Sequence, residues 1–177
     1  MKVARSSLEC YLYIELHPCE CGGRVADLDH RLVHRSDTLC ASYEGRCVSC
    51  GSRVDYLFAL DDEIPPANSF GGARPSTIVD AGQYLAAADV ATKQVTVSER
   101  QPEQRRHGLV LMARAVACLE EILKWIPEGG DRIPQEAFFT TEGTQIYARE
   151  PERFRRARLE VVLAVYRETL LRLSSGV

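Results

Sequence analysis

A chain of 177 residues, 45% apolar and 27% charged, is long enough for one substantial core or for a small module carried on a larger one, and its composition is globular rather than disordered. Its formal charge of −3 lacks the positive excess that counterion release demands of a protein whose main task is gripping phosphates. No apolar run approaches the roughly 18–20 residues of a membrane span, and the polar stretch Met1 to Cys10 does not read as a cleavable signal, so the expected compartment is the cytoplasm.

In chain order, Tyr11-Leu12-Tyr13-Ile14-Glu15-Leu16 comes first, rich in aromatic and apolar residues and short enough to be a strand. It runs into Cys19-Glu20-Cys21-Gly22-Gly23. Thr38 to Glu44 alternates and predicts another strand leading to Cys47-Val48-Ser49-Cys50-Gly51, and Val54 to Leu60 predicts a strand leaving it. Two thiolates from each of two tight turns are what a closed tetrahedral zinc site requires, and Gly22 and Gly51 supply the φ > 0 residue that folds each turn back on its sulfurs. The expected ligands are therefore Cys19, Cys21, Cys47 and Cys50, around a structural zinc ion.

Other uses of the cysteines fit less well. Seven is an odd number for a disulfide framework, and no signal points to an oxidising compartment. A redox Cys-x-x-Cys wants a βαβ setting, which is absent. Cys10, Cys40 and Cys118 read as core residues. His17, two residues before Cys19, is either an alternative ligand or a neighbour that packs beside the site. His30 and His34 have the i, i+4 spacing of a helical metal pair but lack the glutamate of H-E-x-x-H, so they read as solvated polar residues.

The knuckles C-x-C-G and C-x-x-C-G, with their flanking strands over roughly residues 10 to 60, resemble the zinc-ribbon class. The first has one intervening residue where the commonest form has two. The resemblance implies a small zinc-stabilised sheet and no particular activity.

Asp61 to Ser76 is rich in proline and glycine and reads as a linker. Phe70-Gly71-Gly72 within it lacks the lysine and the strand-loop-helix setting of a phosphate loop and reads as an aromatic anchor on a turn. A helix is predicted from Asp80, with Gln83 completing a capping box, through Ala91. Thr92 to Ser98 suits either more helix or a short strand. The strongest periodicity predicts a helix from Gln101 to Ile126, closed by Pro127 and Gly129-Gly130, with a broad apolar face that includes Met112, Val116, Cys118, Leu119 and Ile122. Short helical turns follow near Ile133–Phe139 and Thr141–Ala148. A last helix is predicted over about Pro151 to Leu173, with Phe154 and Leu159 inward. Its opening turns bring together Arg149, Arg153, Arg155, Arg156 and Arg158, interleaved with Glu150, Glu152 and Glu160, a pattern that reads as a solvated face.

The sequence therefore predicts an α+β protein: a zinc-ribbon module over 1–62, a linker over 63–79, and a mainly helical part over 80–177 on which the ribbon packs. No nucleophile with its base, open metal site, Walker loop, dinucleotide fingerprint or zinc-deaminase pattern is legible, so no enzyme is expected. The expected role is a non-catalytic protein-interaction module. The ribbon, F-G-G linker and two long helices resemble small bacterial proteins that accompany toxin or effector genes, and that likeness implies an immunity or inhibitor role with the acidic middle segment on the toxin. Two other readings remain at this stage: a nucleic-acid-binding regulator using the ribbon and the Arg149 to Arg158 cluster, and an enzyme with a site between ribbon and helices using Glu15, His17 or His34.

Overall fold

The computed structural model describes residues 1–95 and 102–175 and is of the α+β class. The chain divides into two compact units, 1–79 and 80–177. The N-terminal unit is a four-stranded mixed sheet with one helix. Strand β1 (Lys2–Ala4) leads into helix α1 (Ser7–Leu16), followed by β2 (Val25–Arg35), β3 (Thr38–Cys47) and β4 (Arg53–Leu60). The sheet order is β1-β4-β3-β2, with β1 parallel to β4 and the remaining pairs antiparallel.

The segment Tyr11–Leu16, expected as a strand, is helical. The deciding signal lies upstream of it. The Ser6 hydroxyl accepts the Glu9 N–H at 3.1 Å and so caps α1, while the Glu9 carboxylate turns back to the Arg5 N–H at 2.7 Å and to the Arg5 guanidinium. Cys10, Tyr13 and Ile14 then fall on one buried helical face. Tyr13 meets Phe58 edge-on at 5.4 Å and Tyr11 meets Tyr43 at 5.3 Å, so aromatic residues that suggested a strand are the packing face of a helix on the sheet.

The other expected strands are present as β3 and β4. Strand β2 was not anticipated; its run of Asp29, His30, Arg31, His34 and Arg35 carries little apolar alternation. It forms because Ser36 and Asp37, at φ 45° and 65°, make a two-residue hairpin turn that returns the chain onto β3, with Arg35 opposite Thr38. His30 and His34 thus lie on a strand. There an i, i+4 spacing separates them by roughly 13 Å, too far to share a metal, and His30 stacks on Tyr43 at 4.6 Å.

Residues 63–79 are fastened to the N-terminal unit. Arg74 pairs with Asp61 at 2.8 Å, the Ser6 hydroxyl donates to the Phe70 carbonyl at 2.9 Å, and Phe70 is buried. A Cβ at Gly71 would stand 2.6 Å from Arg5 Cζ, so Phe70-Gly71-Gly72 is a close crossing over the buried Arg5–Glu9 pair.

The second unit holds α2 (Ala81–Lys93), α3 (Pro102–Leu123), a 3-10 turn at Gln135–Ala137, α4 (Thr141–Arg149), another at Pro151–Phe154, and α5 (Arg156–Ser175). The Asp80–Gln83 capping box is present as the sequence predicts. Helix α2 ends at Lys93, and the rest of Thr92–Ser98 beyond Val95, together with Gln101, lies outside the described residues. Helix α3 tightens after Leu123 into i→i+3 bonds through Ile126, then stops at Pro127 and Gly129, the latter at φ 71°. Met112, Val116, Cys118, Leu119 and Ile122 are buried.

The last helix starts later than its proline suggests. Arg155 is extended and bridges Arg132, while the Arg156 N–H donates to the Asp131 carbonyl at 2.8 Å, so α5 begins at Arg156. Phe154 is buried against Phe138 and Tyr147.

Candidate metal centre

The four cysteines expected as ligands come together. The sulfurs of Cys19, Cys21, Cys47 and Cys50 all lie within 4.8 Å of one another, with Cys19–Cys50 at 3.6 Å and Cys21–Cys47 at 3.4 Å. A tetrahedron of zinc–sulfur bonds near 2.3 Å puts its sulfurs about 3.8 Å apart, whereas a disulfide holds them at about 2.05 Å. The donor set and its spacing therefore fit a metal ion bound by four thiolates.

Local backbone chemistry builds this arrangement. Cys19 follows the end of α1, and the Gly22 N–H donates back to the Cys19 carbonyl at 2.7 Å while the Cys19 N–H donates to the Gly23 carbonyl at 3.1 Å. The second turn repeats the device, with the Gly51 N–H on the Cys47 carbonyl at 2.9 Å and the Cys47 N–H on the Ser52 carbonyl at 2.9 Å. Gly22 and Gly51 have φ of 80° and 73°, a conformation that side chains disfavour. The two turns are joined by the sheet: Val25 pairs with Cys47, and the Val48 N–H donates to the Arg24 carbonyl at 2.9 Å.

Gly23 has a role that knuckle spacing does not reveal. A Cβ there would stand 2.6 Å from Cys47 Sγ and 2.5 Å from Ser49 Oγ, so the backbone can approach the sulfur cluster only as glycine. Gly23→Ala is expected to weaken metal binding about 10–100-fold, as changes to groups that support ligands do. Competition with a chromophoric chelator measures it.

Hydrogen bonding prepares some of the thiols for ligation. The Ser52 hydroxyl, 3.3 Å from Cys50 Sγ, and the Ser52 backbone lower the Cys50 thiol to about 6. Backbone N–H groups of Cys50 and Ser49 lower Cys47, the latter at 3.4 Å from its sulfur. These groups favour the deprotonated form that a metal needs.

His17 stands outside the cluster. Its Nδ1 lies 2.8 Å from the Tyr13 carbonyl, its ring stacks on Tyr13 at 3.8 Å, and its own carbonyl accepts the Tyr56 hydroxyl at 2.6 Å. It fixes the chain two residues before Cys19. His34 pairs across from Leu39, towards the hairpin turn and away from the cluster at the Val25–Cys47 end of the sheet.

The three remaining cysteines are buried, and burial raises the Cys10 thiol to about 11. A thiol kept protonated and covered reacts slowly. In the metal-loaded protein all seven thiols are expected to resist alkylation, four are expected to become reactive on chelation, and Cys10, Cys40 and Cys118 only on denaturation. Mass spectrometry of the alkylated chain counts each class.

No family model matches this chain, and neither the curated proteins nor the solved structures give a significant match.

Three arginines of the cluster are used within their own unit. Arg153 makes a two-pronged pair with Asp89 at 2.6 and 2.8 Å, Arg155 pairs with Glu152 at 2.5 Å, and Arg156 donates to the Gly130 and Pro127 carbonyls at 2.8 and 3.2 Å. Acidic groups of the middle segment are also engaged: Asp61 with Arg74, Asp89 with Arg153, and Asp80 buried in hydrogen bonds. Among the described residues, no helix is long and apolar enough to cross a membrane.

Sequence reasoning also missed a cleft of about 510 Å³ beside the first knuckle, lined by Tyr11, Ile14, Pro18, Arg24 and Leu28. Pro18 and Gly22, which flank the clustered cysteines Cys19 and Cys21, also line it. Tyr11 is 45% exposed there, and Val48, on the tip of the second knuckle, is 59% exposed. A signal for such a cleft exists only once α1 is recognised as a helix, because only then do Tyr11 and Ile14 share a side with the knuckle.

Proposed function

We propose that this protein is a zinc-stabilised, non-catalytic module that binds another protein, with the cleft between α1 and the first knuckle as its recognition surface. The observation that carries the reading is the four-sulfur cluster adjoining that cleft. Four thiolates complete zinc's preferred coordination, and soft thiolate donors favour zinc over the hard cations. A metal so held fixes a shape, and the cleft beside it is partly apolar, lined by Tyr11, Ile14 and Leu28 together with Glu15 and Arg24. Internal use of Arg153, Arg155 and Arg156 counts against phosphate as the main target. The narrower form of this reading is an inhibitor that covers a toxin or effector. Because Asp61, Asp80 and Asp89 are engaged internally, that form works through the cleft and not through these three carboxylates.

The test is capture from host lysate with the zinc-loaded wild type and with Tyr11→Ala and Leu28→Asp, each first shown to retain zinc and its circular dichroism. One protein retained near stoichiometry, unaffected by nuclease and lost with both variants, is the expected result. Nucleic acid that co-elutes and is released by moderate salt, with the variants binding like wild type, would overturn the reading in favour of a phosphate binder.

A further inference from the structure

The sheet of the N-terminal unit has one long free edge. β2 pairs with β3 on one side and with no strand on the other among the described residues. Natural edge strands are commonly blunted by bulges, charges or brevity, because their unpaired N–H and C=O groups otherwise recruit another strand. At the opposite edge, β1 is blunted by having only three residues. In β2 the bulge is confined to one end: the register breaks between Ala26 and Asp29, where Asp27 takes φ 52°, and the seven residues Asp29 to Arg35 run in unbroken register. They offer an open ladder about 24 Å long. All but Val33 are exposed, Leu32 to 59%.

That regular stretch is complementary to itself. Antiparallel pairing about a two-fold axis at Leu32 sets Asp29 opposite Arg35 at both ends, Arg31 opposite Val33, His30 opposite His34, and Leu32 against its own copy. Moving the centre by one residue destroys the match: centring on Arg31 opposes two copies of Arg31, and centring on Val33 opposes Arg31 to Arg35. Like charges placed directly opposite destabilise a pair, whereas opposite charges support it. Only the Leu32 centre uses the whole regular stretch, avoids the bulge and joins opposite charges at both ends. Within one chain Asp29 already holds Arg31, and both stay more than half exposed. Leu32 also shares its face with His30, Tyr43 and Ile64 around a cleft of about 330 Å³, so a second copy meets exposed apolar ground beside the strand.

We propose that two copies of this chain associate through β2, antiparallel about Leu32, to join their sheets into one of eight strands. The partner is a second copy because the charge order along the edge reads as its own complement. The proposal is independent of the cleft beside the knuckle.

Sedimentation velocity of the zinc-loaded 177-residue protein over a dilution series up to about 1 mM tests it. A monomer–dimer equilibrium is expected. Asp29→Arg or Arg35→Asp alone should weaken it by at least about tenfold, since each places like charges at both ends. The double variant should recover it. An equimolar mixture of the two single variants should also recover it, as a heterodimer, because each then faces the opposite charge. That recovery separates lost complementarity from a damaged fold. A wild type that stays monomeric throughout overturns the proposal, as does a dimer indifferent to the single changes or a mixture that fails to recover.

Discussion

Cys47→Ser is expected to remove zinc from the protein and, with it, the cooperative unfolding of the N-terminal unit, while the helices from Asp80 onward persist. Cys47 is the most enclosed of the four clustered cysteines, and it ends β3 opposite Val25, so its sulfur and its backbone serve the same corner of the sheet. A serine hydroxyl does not replace a thiolate as a zinc ligand, and three sulfurs left facing one another have no metal to draw them together. Structural zinc in small finger domains contributes about 10–16 kcal/mol of apparent binding energy, comparable with the roughly 5–15 kcal/mol stability of a typical domain. Losing it is therefore enough to open the end of the sheet where β2, β3 and both knuckles meet. Cys40→Ser is the matched control: equally buried in the same strand, but no ligand. It should keep its zinc and lose only about 1–3 kcal/mol for burying a hydroxyl. Zinc content and limited proteolysis between residues 17 and 53 distinguish the two variants.

In the second unit the largest loss is expected from Asp80→Ala, roughly 3–5 kcal/mol, because one buried carboxylate joins the starts of two helices. One oxygen accepts the Gln83 N–H at 2.9 Å and caps α2; the other accepts the Thr140 N–H at 2.8 Å and the Thr140 hydroxyl at 2.5 Å. The same hydroxyl oxygen accepts the Gly143 N–H at 3.0 Å and caps α4. Alanine removes the first cap and leaves the part-buried Thr140 N–H without its acceptor. The two helices meet at glycines: a Cβ on Gly82 would stand 2.5 Å from the Gly143 Cα, and one on Gly143 would stand 2.2 Å from the Asp80 carboxylate. Gly143→Ala should therefore reproduce much of the Asp80→Ala loss by displacing the carboxylate rather than removing it. Asp80→Asn keeps an acceptor for one helix and should cost less than alanine. Urea midpoints at unchanged slope measure all three.

How far the sequence could be read depended on whether the deciding interaction was local. The capping box at Asp80 and Gln83, the periodic face of α3, the alternation of β3 and the paired cysteines all act over a few residues or through a spacing that chemistry constrains. Tyr11 to Leu16 looked extended because its composition favours strands, whereas the cap that starts α1 sits at Ser6 and Glu9, before the segment begins. β2 was illegible for a different reason. From Asp29 to Arg35 both faces of this edge strand are largely exposed, so it needs no apolar alternation, and its existence rests on a left-handed pair, Ser36 and Asp37, without the glycine that marks such a turn most clearly. At the candidate metal centre the four cysteines that cluster were legible and what supports them was not. Gly23 matters through its approach to Cys47, a contact across the hairpin that only the Val25–Cys47 register creates.

Elemental analysis combined with zinc-edge X-ray absorption, on protein purified without added metal, tests the central claim most directly. One zinc per chain, surrounded by four sulfurs at about 2.3 Å, is the predicted result. Protein that carries well under one equivalent of metal, with all four knuckle thiols freely titratable and the sheet intact, would contradict it.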